Sequence, residues 1–388
     1  MKKIINLLKT NKIIYFLYSN IFNTILKFFS CFIKTDNRII LFNSFGGKRY
    51  DDSPRSIYEY MINQEKYKQY KMYWSFDTPE KFEVTGAKKI KNNSIKYFYI
   101  ALKAKYWITN SGIERGLKFK KTQTIYINTW HGSAIKHIGN DENIQNCIHF
   151  KTTKPDYFYA QSQYDKEVFS KAFNIEKDKI VLSGLPRNDE LKNITNEEIK
   201  LIKEKLNIPL DKKVILYVPT YREYERDKDG CVLSPPINLK YWEKELAKKY
   251  ILLFRAHYEV NKVLSIKETQ FLRDYSSYEK LTDLLKISDI LISDYSRIII
   301  DYSILERPIF NYIYDYDEYK EKRGLYFDIR KELPNNCLTT EEKMINRIKK
   351  IDYATENKKT KKFKDKYVEV YGNASEYIDN IIREQEEK

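Results

Sequence analysis

The stretch Arg38-Ile39-Ile40-Leu41-Phe42-Asn43-Ser44-Phe45-Gly46-Gly47 has the pattern of a buried β-strand that runs into a glycine loop. Further short apolar runs follow it, separated by helical patterns, at residues 71–76, 104–109, 124–128, 157–160 and 180–183. Strands that alternate with helices build a parallel sheet with helices on both faces. The sequence therefore predicts a doubly wound α/β domain that begins near residue 36.

A second unit of the same kind follows a break in this pattern. Residues 196–206 are expected to form a helix, which the turn formers Asn207-Ile208-Pro209-Leu210-Asp211 interrupt. New strands are predicted at 213–219, 250–255, 290–293 and 308–312, and from residue 340 onward only helical patterns remain. Because 388 residues exceed one ordinary core, we predict two Rossmann-type domains, 36–206 and 207–388, the second with a helical tail.

The charge balance narrows the classes of partner without choosing among them. The chain has 70 Lys and Arg against 54 Asp and Glu, a formal net charge of +16. This excess suits a nucleic acid, an anionic lipid or a phosphorylated substrate. The four cysteines are widely spaced and form no CxxC pair, so neither a zinc site nor a disulfide framework is indicated.

Residues 1–35 carry six lysines and no acidic residue. The uncharged stretch 13–26 is shorter than the roughly 18–20 apolar residues needed to span a bilayer, and the bulky residues 28–32 offer no small-residue cleavage site. Apolar side chains recur at helical spacing between Ile14 and Phe32. These features predict an amphipathic helix that associates with an anionic membrane surface; the alternative is a helix buried against the body.

Two histidines follow predicted strands, one in each domain. His131 lies in the loop Asn128-Thr129-Trp130-His131-Gly132, where parallel sheets bind ligands, and its ordinary pKa near 6.5 suits a base that takes a proton from an attacking hydroxyl. His257 follows the strand 250–255 in its loop, on the same face as Arg255, so the two side chains could neutralise or protonate a leaving diphosphate. A structural histidine that caps a loop is the alternative for either.

Arginine-containing turns surround the same predicted cleft. Ser296 and Arg297 stand at the start of a predicted helix, whose unpaired amides and positive dipole end favour a phosphate; a simple capped helix start is the alternative. Arg187 and Arg222 lie in turns on either side of the proposed domain boundary, and arginine suits anionic substrates.

Taken together, these segments resemble the CDP-glycerol glycerophosphotransferase family, the wall teichoic acid primases and polymerases and related capsule enzymes. The resemblance covers most of residues 41–327, and the ordered combination is more specific than any one motif. A C-terminal signature, Arg323-Gly324-Leu325-Tyr326-Phe327-Asp328, adds to it. The other matching segments are Thr129-Trp130-His131-Gly132, Gly184-x-Pro186-Arg187-Asn188-Asp189, Pro219-Thr220-Tyr221-Arg222, Arg255-x-His257 and Asp294-Tyr295-Ser296.

The resemblance implies an α/β fold of GT-B-like architecture, in which two Rossmann domains face a cleft. It implies a transfer of polyol phosphate from CDP-glycerol or another CDP-polyol to an undecaprenyl-linked or polymer acceptor, on the cytoplasmic face of the membrane. His131 and His257 are the expected catalytic residues, and we expect neither a cofactor, nor a metal, nor a nucleic-acid partner. The residues expected to bind the donor are Arg187, Asn188, Thr220, Arg222, Arg255, Asp294, Ser296, Arg297 and Arg323.

The sequence departs from the family pattern at a few positions. The family usually has Thr-Pro where Ser133-Ala134 stand, Pro where Tyr258 stands and a second serine where Arg297 stands. Arg297 adds a charge beside the expected phosphates, so the donor could be CDP-ribitol or another CDP-polyol. Two rival functions stay open at this point: a GT-B glycosyltransferase that uses a nucleotide sugar, and a non-catalytic membrane or nucleic-acid binder.

Overall fold

The first half of the chain forms one α/β unit in the structure, a computed structural model that describes residues 11–142, 153–222, 224, 226–227, 230–231, 235–256, 267–333 and 335–387. Its strands are β1 (Asp36–Asn43), β2 (Lys71–Phe76), β3 (Lys88–Lys91), β4 (Ala104–Thr109), β5 (Ile125–Asn128), β6 (Tyr157–Ala160) and β7 (Ile180–Leu182). Its helices are α1 (Lys12–Phe32), α2 (Asp52–Ile62), α3 (Ile95–Lys103), α4 (Gln163–Phe173) and α5 (Asn196–Lys205).

The second half repeats this alternation of strands and helices. Its strands are β8 (Lys213–Val218), β9 (Arg226–Asp227), β10 (Gly230–Cys231), β11 (Tyr250–Phe254), β12 (Leu272–Asp274), β13 (Ile290–Ser293), β14 (Ile309–Tyr312) and β15 (Cys337–Leu338). Its helices are α6 (Leu239–Leu246), α7 (Leu281–Ile287), α8 (Ile298–Ser303), α9 (Tyr316–Arg323), α10 (Ile329–Glu332), α11 (Glu341–Lys349), α12 (Tyr353–Tyr367) and α13 (Tyr377–Glu386).

Each half is built on a parallel sheet. The first has the strand order β3-β2-β1-β4-β5-β6-β7 and the second the order β12-β11-β8-β13-β14-β15, while β9 and β10 form a separate antiparallel pair. The central strands are buried on both faces; in β1, Ile40 pairs with Met72 of β2 and Tyr106 of β4. This burial explains their continuous apolar runs. The predicted pair of α/β units with parallel sheets is confirmed.

The last helix returns to the first sheet. Ile378, Ile381 and Ile382 of α13 are buried in the same apolar cluster as Ile40 and Phe42 of β1. Tyr67 and Tyr60 also donate hydrogen bonds to Asp379 of this helix. The tail of the second half therefore also covers the first half, while the predicted division at residues 206 and 207 stays a prediction.

Helix α1 packs on the first unit through one side only. Asn11 caps its start by accepting from the amides of Ile13 and Ile14, Leu26 is buried, and Asn23 accepts from the amide of Lys118 at 2.8 Å. The opposite side exposes a set of large apolar residues: Ile13, Phe16, Leu17, Ile21, Phe22, Ile25, Phe28, Phe29 and Phe32. None of the helices in the described residues is long and apolar enough to cross a membrane.

Candidate active site

A cleft of about 450 Å³ lies between loops at the carboxyl ends of the two sheets. Because both sheets are parallel, the loops after β1, β5, β8, β11 and β13 open on it from two sides. Six basic side chains and four carboxylates line it, which gives the cleft a positive excess. Most of the predicted site residues line this cleft: His131, Arg187, Thr220, Arg255, Ser296, Arg297 and Arg323.

His131 is presented by a tight turn after β5. The Asn128 side chain accepts from the amide of Trp130 at 2.8 Å, and Trp130 then adopts a φ of 49°, which is unusual for a bulky residue. The Trp130 ring stacks on the imidazole at 3.8 Å between centroids. Burial and the nearby charges of Arg297 and Arg187 hold the pKa of His131 well below its ordinary value, so the ring is neutral at cellular pH.

Arg297 reaches His131 from the other half of the molecule. It occupies the N-cap position of α8, and its guanidinium Nη1 contacts the imidazole Nδ1. Burial and the charge of Arg187 lower the pKa of Arg297 to about 10. The residue predicted to bind the donor therefore touches the residue predicted to be the base, although 166 positions separate them in the chain.

Arg187 and Asn188 connect the two halves of the molecule. Both lie in a 3₁₀ turn, Pro186–Leu191, that follows β7. Arg187 forms ion pairs with Asp52 at 3.0 Å and with Asp301 of α8, and it donates to the His131 carbonyl at 2.7 Å. Asn188 donates to Asp301 at 2.8 Å and does not line the cleft. These contacts hold α8 beside the His131 loop.

Arg222 and Asp294 form a buried network beside the cleft and do not line it. The guanidinium of Arg222 donates to Asp294 and to both oxygens of Asp315, and it also reaches the Thr220 carbonyl and the Tyr314 hydroxyl, so all five of its N–H groups are used. Asp294 also accepts from the amide of Thr220 at 2.9 Å. The predicted donor contacts of Arg222 and Asp294 would need these bonds to be exchanged.

The remaining predicted residues differ in how their polar groups are used. Arg255 donates to the carbonyls of Tyr275 and Tyr278, and burial lowers its pKa to about 10. Arg323 donates to Glu142 at 2.9 Å. The hydroxyl of Thr220 is buried without a hydrogen-bond partner among the described residues. His257 lies outside the described residues, directly after Ala256, which lines the cleft.

The four acidic residues that line the cleft were not predicted from the sequence. Asp51 caps the start of α2, Asp52 is the first residue of that helix, and both line the cleft together with Glu142 and Asp301 of α8. The available signal was the acidic pair directly after a glycine loop, Gly46-Gly47, and before Pro54. Asp52 has a φ of 65°, and Phe45 across the same loop has a φ of 47°. Such backbone strain concentrates at functional sites, where the surrounding structure maintains it.

Metal ligands do not gather at this cleft in the described residues. No group of three or more His, Cys, Asp or Glu side chains in that part of the chain is arranged to hold a metal ion. The carboxylates near His131 are instead engaged by arginine, as in the pairs of Arg187 with Asp52 and Asp301.

The chain is similar in sequence to proteins that are described as teichoic acid polymerases. The family model described as CDP-glycerol:poly(glycerophosphate) glycerophosphotransferase matches residues 25–384. A teichoic acid poly(glycerol phosphate) polymerase of Staphylococcus epidermidis is 37% identical over 90% of this chain, which spans only 51% of that protein. A polymerase of the same description from Bacillus spizizenii is 32% identical over 97% of this chain and 98% of its own length.

The fold is similar to that of a solved wall teichoic acid polymerase. The wall teichoic acid polymerase TagF superposes with a TM-score of 0.82 and 36% identity, over 91% of this chain and 90% of the solved chain. The predicted GT-B-like pair of α/β units is confirmed by this similarity at the level of the fold.

Proposed function

Because the chain belongs to the CDP-glycerol:poly(glycerophosphate) glycerophosphotransferase family, we propose that it transfers a polyol phosphate from a CDP-activated donor to a teichoic acid polymer or its primer and releases CMP. CDP-glycerol is the first candidate donor, and an undecaprenyl-linked or polymeric chain is the acceptor. The observation that carries the proposal is a neutral His131 that faces an arginine-rich cleft between two parallel sheets.

The proposed reaction requires a base and a positive environment. An acceptor hydroxyl gives its proton to His131 as its oxygen bonds to the polyol-bearing phosphorus, and the bond from that phosphorus to the oxygen of CMP breaks. Negative charge develops on the transferred and leaving phosphates, where Arg297 and Arg323 of the cleft stabilise it. His257 stays a predicted second catalytic residue, which would assist departure of CMP.

The two halves of the chain are proposed to divide the substrates. The cleft residues Thr220, Arg255, Ser296 and Arg297 come from the second half, which we assign to the CDP-polyol, while the first half presents His131 to the acceptor. The proposed domains are residues 36–206 and 207–388, apart from α13, which packs on the first sheet. Such a division suits a GT-B-like fold, whose ligands bind at the strand ends of both units.

Incubation of the purified chain with candidate donors tests this function. With a short lipid-linked glycerol phosphate acceptor, we expect CMP from CDP-glycerol or CDP-ribitol and no free UDP from UDP-sugars. Chromatography of the nucleotides measures both products, and mass spectrometry of the acceptor shows the added unit. Release of UDP together with inert CDP-polyols would identify a glycosyltransferase and overturn the proposal.

The exposed side of α1 is proposed to dock on the cytoplasmic face of the membrane, where a lipid-linked acceptor is held. Its exposed apolar residues include Leu17, Ile21 and Phe28, while Lys27 and Lys34 are exposed and no acidic residue occurs before Asp36. Apolar side chains that enter the headgroup region and lysines that meet anionic lipids are the features of interfacial helices. The chain would then be a peripheral membrane protein.

Charged substitutions on this side are expected to weaken membrane binding. Leu17→Glu combined with Phe28→Glu removes side chains that are 55% and 61% exposed, and we expect binding to phosphatidylglycerol-containing vesicles to fall roughly ten-fold or more. The matched control is Leu201→Glu with Leu210→Glu, at 56% and 53% exposure. Cosedimentation measures binding; equal loss in both double variants would show that α1 is not the docking surface.

A further inference from the structure

The contact between Arg297 and His131 fixes where the imidazole carries its proton. A guanidinium has only N–H donors, so in this contact Arg297 donates and the Nδ1 of His131 accepts. The imidazole is neutral, and its proton is then on Nε2. With one nitrogen occupied by a hydrogen bond and the other protonated, His131 has no nitrogen that can accept a proton in this arrangement.

Two arginines of the cleft, Arg255 and Arg297, form no ion pair within the described residues, and Arg297 makes fewer hydrogen bonds there than Arg255. Arg187 is paired with Asp52 and Asp301, and Arg323 with Glu142. Arg297 forms no ion pair within the described residues, and its guanidinium makes there no hydrogen bond except the one to His131. The Arg297 guanidinium is thus bound to a single neutral acceptor. A charged phosphate oxygen forms a stronger hydrogen bond with a guanidinium than a neutral nitrogen does, so an incoming phosphate would displace His131.

The backbone at Gly132, next to His131, leaves room for the Arg297 side chain. Gly132 has a φ of 123°, and a Cβ built on it would lie 2.6 Å from the Cδ of Arg297 and closer still to the Arg187 guanidinium. Only glycine therefore leaves room for both arginines at this point. Arg297 enters from α8 and Arg187 from the turn Pro186–Leu191, so both halves of the molecule meet on Gly132.

We infer that Arg297 is a positioning residue that keeps His131 unable to accept a proton until a donor diphosphate binds its guanidinium. Departure of the guanidinium leaves Nδ1 with an open lone pair, which takes the proton of the acceptor hydroxyl as the new O–P bond forms and CMP leaves. Binding of the donor thereby activates the base, which protects the donor from transfer in an incomplete site. This inference rests on the proposed function for the identity of the diphosphate.

Nitrogen-15 spectroscopy of the full chain labelled at histidine tests the inference without turnover. In the unliganded protein we expect His131 to show a pyrrole-like Nε2 and a pyridine-like Nδ1 that accepts a hydrogen bond. Addition of CDP, a diphosphate that carries no transferable polyol, is expected to shift Nδ1 to a state without that bond. The variant His131→Gln identifies the signals, and His137, whose ring lies 4.8 Å from that of Tyr326, is the internal reference.

Substitutions of Arg297 test whether its guanidinium sets the protonated nitrogen of His131 or only packs against the ring. In Arg297→Ser the ring should interconvert between its two neutral forms before CDP is added, whereas Arg297→Lys, which keeps a cationic donor, should retain the Nε2–H form. The KM for the donor should rise roughly ten-fold or more in Arg297→Ser while kcat at saturating donor changes only a few-fold. Identical His131 signals in wild type and Arg297→Ser, or no response of wild type to CDP, would overturn the inference.

The two proposals fail in different ways. A chain that releases no CMP from any CDP-polyol but shows the expected His131 signals would refute the proposed function and leave the contact with Arg297 established. A chain that releases CMP while His131 carries its proton on Nδ1 before CDP is added would refute the role of Arg297 alone.

Discussion

Replacing His131 by Ala is expected to lower turnover by roughly 10²–10⁴, the contribution typical of a positioned general base. The neutral imidazole is the proton acceptor that the proposed transfer needs, and no other histidine within the described residues lines the cleft. The side chain lies in a loop and contacts Trp130 and Phe45 at its faces, so its loss should leave both sheets folded. Steady-state release of CMP from CDP-glycerol measures the effect.

The matched control is His137→Ala, the same substitution six residues further along the chain. His137 does not line the cleft and packs against Tyr326 instead. We expect this variant to keep turnover within a few-fold of wild type. A well-folded His131→Ala protein with near-normal turnover would remove His131 from the role of base, and an equal loss in both variants would indicate a structural effect of the whole loop.

The strands and the strand-end position of the site could be predicted because both follow from local patterns. A short apolar run between turn formers is sufficient to predict strands such as β1 and β13. Because the strands of each sheet are parallel, the loops that carry His131 and Arg297 then lie at the carboxyl ends of the strands, where ligands bind. The contact between these two side chains could not be predicted, since it depends on how the two sheets face each other. Asp52 and Arg187 both belong to the first unit and are 135 positions apart, and a local pattern does not indicate that they pair.

The sequence also did not predict which arginines pair with buried carboxylates. An arginine that follows a strand has the same local pattern whether it faces a ligand or a buried carboxylate, so Arg187 and Arg222 were predicted alike. In the structure Arg187 lines the cleft, whereas Arg222 is enclosed by Asp294 and Asp315. The helical pattern of the tail likewise did not indicate that α13 packs on the first sheet.

Replacing Arg222 by Ala is expected to destabilise the fold by about 3–5 kcal/mol, because it leaves the buried carboxylate of Asp294 and the partly buried carboxylate of Asp315 without their cation. The Arg222 side chain is 3% exposed and that of Asp294 4%, so water cannot replace the lost hydrogen bonds. Asp294 also fixes the Thr220 loop, which should loosen in the variant. Urea unfolding followed by circular dichroism measures the change in the free energy of unfolding.

Arg330→Ala is the matched control, because it removes an arginine–aspartate pair of similar geometry that is exposed to solvent. Arg330 also forms a two-pronged pair with an aspartate, Asp328, but its side chain is 45% exposed, and surface pairs contribute about 0–1 kcal/mol. We expect a large loss of stability for Arg222→Ala alone. If Arg222→Ala were instead as stable as Arg330→Ala and bound CDP ten-fold more weakly than wild type, Arg222 would be a donor-binding residue, and its bonds to Asp294 and Asp315 would be the ones that the donor exchanges.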